Sequence, residues 1–233
     1  MSKDDESSFR DWKDLRQTAV TSSQGNLALV QTTWFTGDET YDESELLDNQ
    51  PSTVVVTELI RKNFNGDIVA KGFRLWDSQS SSILNFSHID TFDYDPGWAL
   101  IGRFNRCTSD TPITFELVRG NGETRDLSVP GEVHLTIGEE DYKFHAFDDG
   151  GKLLLVFGDL TNGKETYGPG RFLFIETTPG SDEIIVDFNR SFLPPCAFSH
   201  QFNCPIPPPQ NRVNVPIFAG EKNPLFNNDY QLH

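Results

Sequence analysis

The chain has 233 residues, with 19 basic and 35 acidic side chains and a formal net charge of −16. Such an acidic surface repels phosphate backbones and anionic lipids, which argues against nucleic-acid binding and against attachment to a membrane surface. Hydrophobic residues make up 36% of the chain and include 19 Phe and 4 Trp. A sizeable aromatic core is therefore expected, which argues against wholesale disorder.

The N-terminal sequence MSKDDESSF lacks the apolar segment of a secretory signal peptide. No run approaches the roughly 18 apolar residues that a membrane-spanning helix needs. The three cysteines are an odd number, which in this context is typical of reduced thiols. We therefore expect a soluble, cytoplasmic protein.

One segment, about residues 7–20, has the pattern of a helix. Phe9, Trp12, Leu15 and Ala19 recur at helical spacing. The pattern predicts an N-terminal helix that packs this apolar stripe against the main body.

Residues 25–190 have the pattern of strands. Aromatic and β-branched runs alternate with Gly-rich turns, and the Asn-Gly pairs at 65–66 and 121–122 are strong hairpin signals. The run KLLLVF is apolar on both faces, which places it inside a sheet. GRFLFIET and EIIVDFN are predicted to pair across Pro179-Gly180.

Two of these runs alternate between a mainly apolar face and an opposite, more polar face. EVHLTIG points Val133, Leu135 and Ile137 to one face, and YKFHAF puts His145 on the face opposite Phe144. Roughly ten such strands, without alternating helices, predict an all-β fold. The expected architecture is a β-sandwich or barrel-like body with one N-terminal α-helix and an irregular Pro-rich C-terminal segment.

The chain is interpreted as one domain, residues 1–233, with two closely packed β-subdomains as the alternative. Its expected parts are the helix at about 7–20, the β-rich body 25–190, a Pro-rich flap 191–222 and a short tail 223–233. The polar stretch 37–52 is interpreted as a long surface loop rather than a linker between domains.

Four sequence blocks lie in order within residues 157–222. They are FGDLTNGKETYGPGRFL, DFNRSFLPPCAF, CPIPPPQNR and AGEK. In these blocks the chain resembles domain-of-unknown-function family 1684, which is found in bacteria and archaea. The resemblance implies no activity, because the family has none assigned. Phe192 stands where the family pattern has Tyr, and SHQFN replaces a spacer rich in Thr, Pro and Tyr, so no role for a hydroxyl group at position 192 is implied.

Directional polar side chains concentrate in the loop 159–171 and the segment 187–222. Gly168 and Gly170 allow a positive φ or a close backbone approach, and guanidinium groups bind carboxylates and phosphates in a forked geometry. One hypothesis is a pocket for a small anionic or polar ligand between these two segments. Its candidate residues are Arg171, Asn189, Arg190, Asn211, Arg212, Glu221 and Lys222.

The same residues also suit a purely structural role. The prolines of the flap lack N–H donors, so Asn and Arg side chains are needed to anchor its backbone. The second hypothesis is therefore a non-catalytic structural or protein-interaction module. The chain has neither a GxxxxGK[ST] phosphate loop nor a GxGxxG motif before a helix, and no cofactor is indicated.

Cysteine and histidine side chains offer two further candidates. Cys196, His200 and Cys204 are chemically suitable for zinc, but their spacing specifies no fourth ligand, so buried free thiols are favoured over a metal site. His145 is the candidate acid or base, and it can serve Cys196 only if the fold brings the two together. No GxSxG elbow is present, and the sequence leaves open whether the protein is an enzyme.

Overall fold

The computed structural model describes residues 3–35, 40–63, 66–107, 112–117 and 124–232. Asn65 and the predicted turn at 121–122 lie outside these ranges. The helices are α1 (Lys3–Thr21), α2 (Glu43–Leu47) and α3 (Ser81–Asn85). The strands are β1 (Leu29–Trp34), β2 (Val54–Lys62), β3 (Ile68–Asp77), β4 (Phe86–Thr91), β5 (Ala99–Arg106), β6 (Pro112–Glu116), β7 (Thr124–Ser128), β8 (Gly131–Ile137), β9 (Glu140–Asp149), β10 (Lys152–Phe157), β11 (Arg171–Ile175), β12 (Glu183–Asp187) and β13 (Glu221–Phe226).

The prediction of a mostly β protein with one N-terminal helix is confirmed, and no helix in the described ranges is long and apolar enough to span a membrane. The chain divides into two compact units. The first comprises Met1–Trp12, Ile89–Pro194 and Asn203–Asn223, and the second Lys13–His88, Pro195–Phe202 and Pro224–His233. That the chain forms one domain stays a prediction.

The first unit is built on a six-stranded antiparallel sheet with the strand order β11-β10-β9-β8-β5-β12. One face of the sheet encloses an apolar core that includes Phe104, Phe144, Leu155, Phe157 and Phe188. The run KLLLVF forms β10, which lies between β11 and β9, and its residues 153–157 are buried. The prediction that this run lies inside a sheet is therefore confirmed.

Strands β8 and β9 form a tight hairpin around Gly138. Its φ of +66° is a conformation that glycine adopts more readily than other residues. Val133, Leu135 and Ile137 are buried, as their alternation predicts. Because a hairpin fixes the register, the opposite face of the pair is determined as well. It carries the residues that occupy the polar positions of the two runs.

The predicted pairing of GRFLFIET with EIIVDFN is wrong. Although these runs are consecutive, β11 pairs with β10 and β12 pairs with β5, so the two strands form opposite edges of the sheet. Gly180 does lie in a turn, with φ +80°. A turn signal specifies a reversal of the chain, whereas partner choice depends on apolar surface from distant strands, which the local pattern does not contain.

The C-terminal part is irregular, as predicted. It contains short 3-10 helices, at Phe188–Arg190, Pro195–Ala197 and Pro209–Asn211. Backbone bonds join it to the sheet at single positions: Phe192 forms an antiparallel bridge with Phe172, and Arg212 forms a parallel bridge with Gly158.

The second unit contains a three-stranded antiparallel sheet with the order β1-β3-β2. One apolar cluster of this unit comprises Ala28, Leu29 and Trp76, and another comprises Val54, Phe73 and Leu75. Among the described residues of the loop 37–52, α2 forms a short helix, because the Asp42 side chain accepts from the N–H of Ser44 and caps it.

Helix α1 is longer than predicted. Phe9 is buried as expected, but Leu15 is 69% exposed, whereas Val20 is buried. The predicted stripe was therefore wrong at Leu15 and at Ala19, which is also exposed.

Candidate functional site

Arg171, the first residue of β11, has a fully buried side chain. Its Nη2 donates to Asp159 Oδ2 at 2.9 Å and to the carbonyl of Ile217 at 2.9 Å, and its Nη1 donates to the carbonyl of Ala219. Burial lowers the pKa of the Arg171 guanidinium, and the Asp159 carboxylate opposes this shift. An arginine remains charged in proteins, so Arg171 and Asp159 form a buried ion pair, and the hydrogen bonds from Arg171 to Ile217 and Ala219 tie the flap to the sheet.

The second oxygen of Asp159 organises its own loop. Oδ1 accepts from the N–H and the hydroxyl group of Thr161, at 2.8 and 2.6 Å, and from the N–H of Ile217 at 3.2 Å. The first two contacts are those of an Asx turn. The Asp159 carboxylate and the two terminal nitrogens of Arg171 therefore make their hydrogen bonds within the protein itself.

Asn211 is buried and acts as a clamp between two strands. Its Oδ1 accepts from the N–H of His145 at 2.8 Å, and its Nδ2 donates to the carbonyls of His145 and Val156 at 2.9 and 2.8 Å. The Asn211 side-chain amide thus pairs with backbone groups of β9 and β10 that the irregular backbone of the flap does not pair with.

Asn189 and Glu221 are buried in similar anchoring roles. Asn189 exchanges two hydrogen bonds with the backbone of Asp95, at 3.0 and 2.8 Å. Glu221 Oε2 accepts from the N–H of Leu193 at 2.7 Å. Glu221 thus satisfies a backbone group next to Pro194 of the flap, whereas Asn189 satisfies backbone groups next to Pro96 of the β-rich body.

Arg190 and Lys222 make ion pairs nearer the surface. Arg190 Nε lies 3.3 Å from Asp187 Oδ2, and its Nη2 donates to the hydroxyl group of Ser8 at 2.7 Å. Lys222 Nζ lies 2.6 Å from Asp90 Oδ2. The seven candidate residues therefore do not converge on one cleft.

A cleft of about 410 Å³ does lie between the loop and the flap, and Arg212 is the one candidate residue that lines it. The other lining residues are mostly apolar and include Leu160, Ile206 and Val213. Arg212 Nε donates to the carbonyl of Pro207 at 3.0 Å, and the residue is exposed. Its two terminal nitrogens, for which no described residue is an acceptor, can bind a ligand.

Gly170 permits the flap to approach the loop at this cleft. Its φ is +102°, and a Cβ atom there would lie 2.6 Å from Pro207 Cγ and 2.6 Å from the carbonyl oxygen of Phe157. The expectation of a close backbone approach is confirmed at this position.

His145, the candidate acid or base, lies in a cluster on the polar face of the β8–β9 hairpin. Glu132 Oε1 is 3.7 Å from His145 Nε2 and accepts from Gln210 Nε2 at 3.1 Å, and Glu132 Oε2 is 3.1 Å from His134 Nε2. A carboxylate between two imidazoles can hold or pass a proton. Within the described residues, however, His145 Nδ1 is buried and has no hydrogen-bond partner.

Glu132 and His134 were missed by the sequence analysis, although a signal for them existed. Both occupy polar positions of EVHLTIG. A two-residue turn at 138–139 places Glu132 directly opposite His145 and His134 directly opposite Lys143, which is the observed register.

Acidification is expected to destabilise the protein through this cluster. Burial lowers the pKa of His145 below its ordinary value of 6.5, because a charged ring would bury an N–H without an acceptor. At pH values just below 6.5, the unfolded chain therefore binds more protons than the folded protein does. The free energy of unfolding falls as the pH decreases from 6.5 towards the folded pKa. Hydrogen bonding to His134 lowers the pKa of Glu132 below 4.5, which adds a second loss at lower pH.

Urea unfolding between about pH 5 and about pH 7.5 measures this effect. His145→Gln should flatten the slope in the upper part of the range, whereas His88→Gln, which changes an exposed histidine, should not. An unchanged slope in His145→Gln would contradict the assignment.

The cysteine and histidine candidates are divided between the two units. Cys196 and His200 belong to the second unit and Cys204 to the first, and both cysteines are buried and form no disulfide bond with a described cysteine. No group of three or more His, Cys, Asp or Glu side chains within the described ranges is arranged to hold a metal ion.

Comparisons with known proteins place the chain in a family. No curated protein matches it. The chain is similar to an uncharacterized protein of Haloarcula marismortui with a solution NMR structure, at 29% identity over 59% of this chain and 77% of that chain, with a TM-score of 0.49. The family described as "Protein of unknown function (DUF1684)" matches residues 84–222, more than half of the chain, including all four sequence blocks. The chain therefore belongs to the DUF1684 family.

Proposed function

We propose that the protein binds a small organic anion in the cleft between the loop 158–169 and the flap residues 206–214. The single observation that supports this is Arg212, which lines the cleft and is positioned through its Nε while its terminal nitrogens stay available. A guanidinium group above apolar walls suits a carboxylate or phosphate attached to an apolar body.

The proposed site is a binding site, and catalysis would need a further group. His145, the candidate acid or base, has a buried Nδ1 and an Nε2 directed at Glu132. The absence of a disulfide among the three described cysteines supports a reducing, cytoplasmic location, and the net charge of −16 argues against nucleic acid as the ligand.

Arg212→Gln is expected to weaken the binding of phenyl phosphate or benzoate by about tenfold to a hundredfold, because a charged hydrogen bond contributes about 1.5–3 kcal/mol. Isothermal titration calorimetry on the wild type and the variant measures the change. Arg103→Gln, which removes an exposed arginine outside the cleft, is the matched control and should bind as the wild type does. Benzyl alcohol is the uncharged control ligand.

Equal binding by Arg212→Gln and the wild type, or equal binding of benzyl alcohol and benzoate, would refute the proposal. The second candidate, a structural or interaction module, is favoured by the internal contacts of Arg171, Asn189, Asn211 and Glu221. That candidate predicts no binding of any of these anions.

A further inference from the structure

A groove of about 770 Å³ lies between the two edge strands of the first unit's sheet. Phe174 of β11 and Ile185 of β12 line it and are 42% and 65% exposed. The Phe174 ring stacks on Phe192, with centroids 5.2 Å apart, and Trp12 also lines the groove. Apolar side chains so exposed gain free energy when a partner covers them.

The open edge of β11 has backbone groups that face into this groove. Phe172 exchanges two backbone hydrogen bonds with Phe192, at 2.8 and 2.7 Å. In an antiparallel ladder the groups that face one neighbour recur at every second residue, so the N–H and C=O of Phe174 face the same side. No described backbone group pairs with Phe174 on that side.

The position opposite Phe174 is left open by the turn of the chain before Phe192. Because Phe172 pairs with Phe192 in an antiparallel bridge, a continuing strand would put residue 190 opposite Phe174. Instead the chain forms the 3-10 helix Phe188–Arg190. Phe192 thus pairs with the edge of β11 at Phe172, and the pairing does not continue to Phe174.

Strand β12 presents the same pattern from the opposite side of the groove. The N–H of Phe104 in β5 donates to the carbonyl of Asp182 at 2.8 Å. Because the backbone groups of Asp182 face β5, those of Ile184, two residues further on, face β5 as well. The backbone groups of Ile185 point the opposite way, towards the groove.

The charges at one end of the groove favour a basic occupant. Glu176 and Glu183 line the groove and are exposed, and neither forms an ion pair within the described residues. Lys152, also in the lining, lies over the Phe174 ring at 5.7 Å, and Arg190 is already paired with Asp187. With a net charge of −16 on the whole chain, the field attracts cations.

We propose that this groove binds an extended basic peptide segment of a partner protein, which adds as a strand to the edge of β11 at Phe174. Backbone hydrogen bonds to the edge supply affinity, and alternate side chains supply specificity. An apolar side chain of the peptide covers Phe174 and Ile185, and a Lys or Arg two residues away lies near Glu176 and Glu183. The groove is separate from the Arg212 cleft, so either site can exist without the other.

The test is an NMR titration of the ¹⁵N-labelled protein with the peptide acetyl-Lys-Val-Val-Val-Lys-amide. Shifts are expected to concentrate at Phe174 and Ile185, and the Phe174 amide is expected to exchange more slowly with solvent in the complex. The same peptide with N-methylated valines lacks the three valine N–H donors, and a version with Glu in place of Lys reverses the charge. Both should bind at least about tenfold more weakly.

Ile185→Lys should also weaken binding of the lysine peptide by at least about tenfold, because it removes apolar surface and adds a like charge. Ile101→Lys is the matched control, since Ile101 lies directly opposite Ile185 on β5, is 72% exposed and does not line the groove. Absence of shifts at millimolar peptide, or equal binding of the N-methylated or the glutamate peptide, would overturn the proposal. Shifts at Phe174 with decanoate but not with the lysine peptide would overturn it in favour of a small amphiphile.

Discussion

Replacing Arg171 with methionine is expected to lower the free energy of unfolding by about 3–5 kcal/mol, the largest effect of any single change considered in this protein. The substitution leaves the buried carboxylate of Asp159 without its counter-charge and removes the donors to the carbonyls of Ile217 and Ala219. An unpaired buried charge costs more than the lost attraction alone, because the carboxylate has no water to replace its partner. Urea unfolding followed by tryptophan fluorescence measures the loss.

The control for this change is Arg103→Met, which removes an exposed arginine of the same sheet and should shift stability by about 0.5 kcal/mol or less. The double variant Arg171→Met/Asp159→Asn should lose less than the sum of its two single variants, since it removes both charges of the pair. Equal stability of Arg171→Met and Arg103→Met would show that the buried ion pair is not what anchors the flap.

Asn211→Ala is expected to cost about 3 kcal/mol or more, because it leaves three buried or partly buried backbone groups without their partners. These are the N–H and C=O of His145 and the C=O of Val156. Hydrogen exchange gives a local readout besides stability: the amide of His145 should exchange faster in the variant than in the wild type.

Asn214→Ala, three residues along the chain and exposed, is the matched control and should leave both stability and the exchange of His145 unchanged. If Asn211→Ala unfolds at the same urea concentration as Asn214→Ala, the clamp contributes nothing to the fold. A loss confined to Asn211→Ala would support the structural role proposed for the asparagines of the flap.

In the candidate site, two residues of the same type have different roles. Arg171 and Arg212 are predicted to bind a ligand for the same reason, since a guanidinium group binds anions. The structure buries Arg171 against Asp159, an anion of the protein itself, and leaves Arg212 at a cleft. Which anion an arginine meets depends on the distant segment packed against it, and no local pattern records that.

The pairing of the edge strands was likewise not predictable from local sequence. The turn at Gly180 was recognised, yet the strands that flank it take partners from elsewhere in the chain. The resulting groove beside Phe174 exists only because that local pairing does not form. By contrast, the polar cluster around Glu132 was within reach of sequence reasoning, because a tight hairpin sets its own register.

The sequence by itself determined the fold class, the N-terminal helix, the inward face of β8, the burial of β10 and the family, because periodicity and short motifs are local properties of the chain. The tertiary structure alone decided which strands pair, which arginine is buried and where open surface remains. Those outcomes depend on contacts between residues far apart in sequence, such as Asp159 with Ile217 or Asn211 with His145, whose free energy appears only when the segments meet.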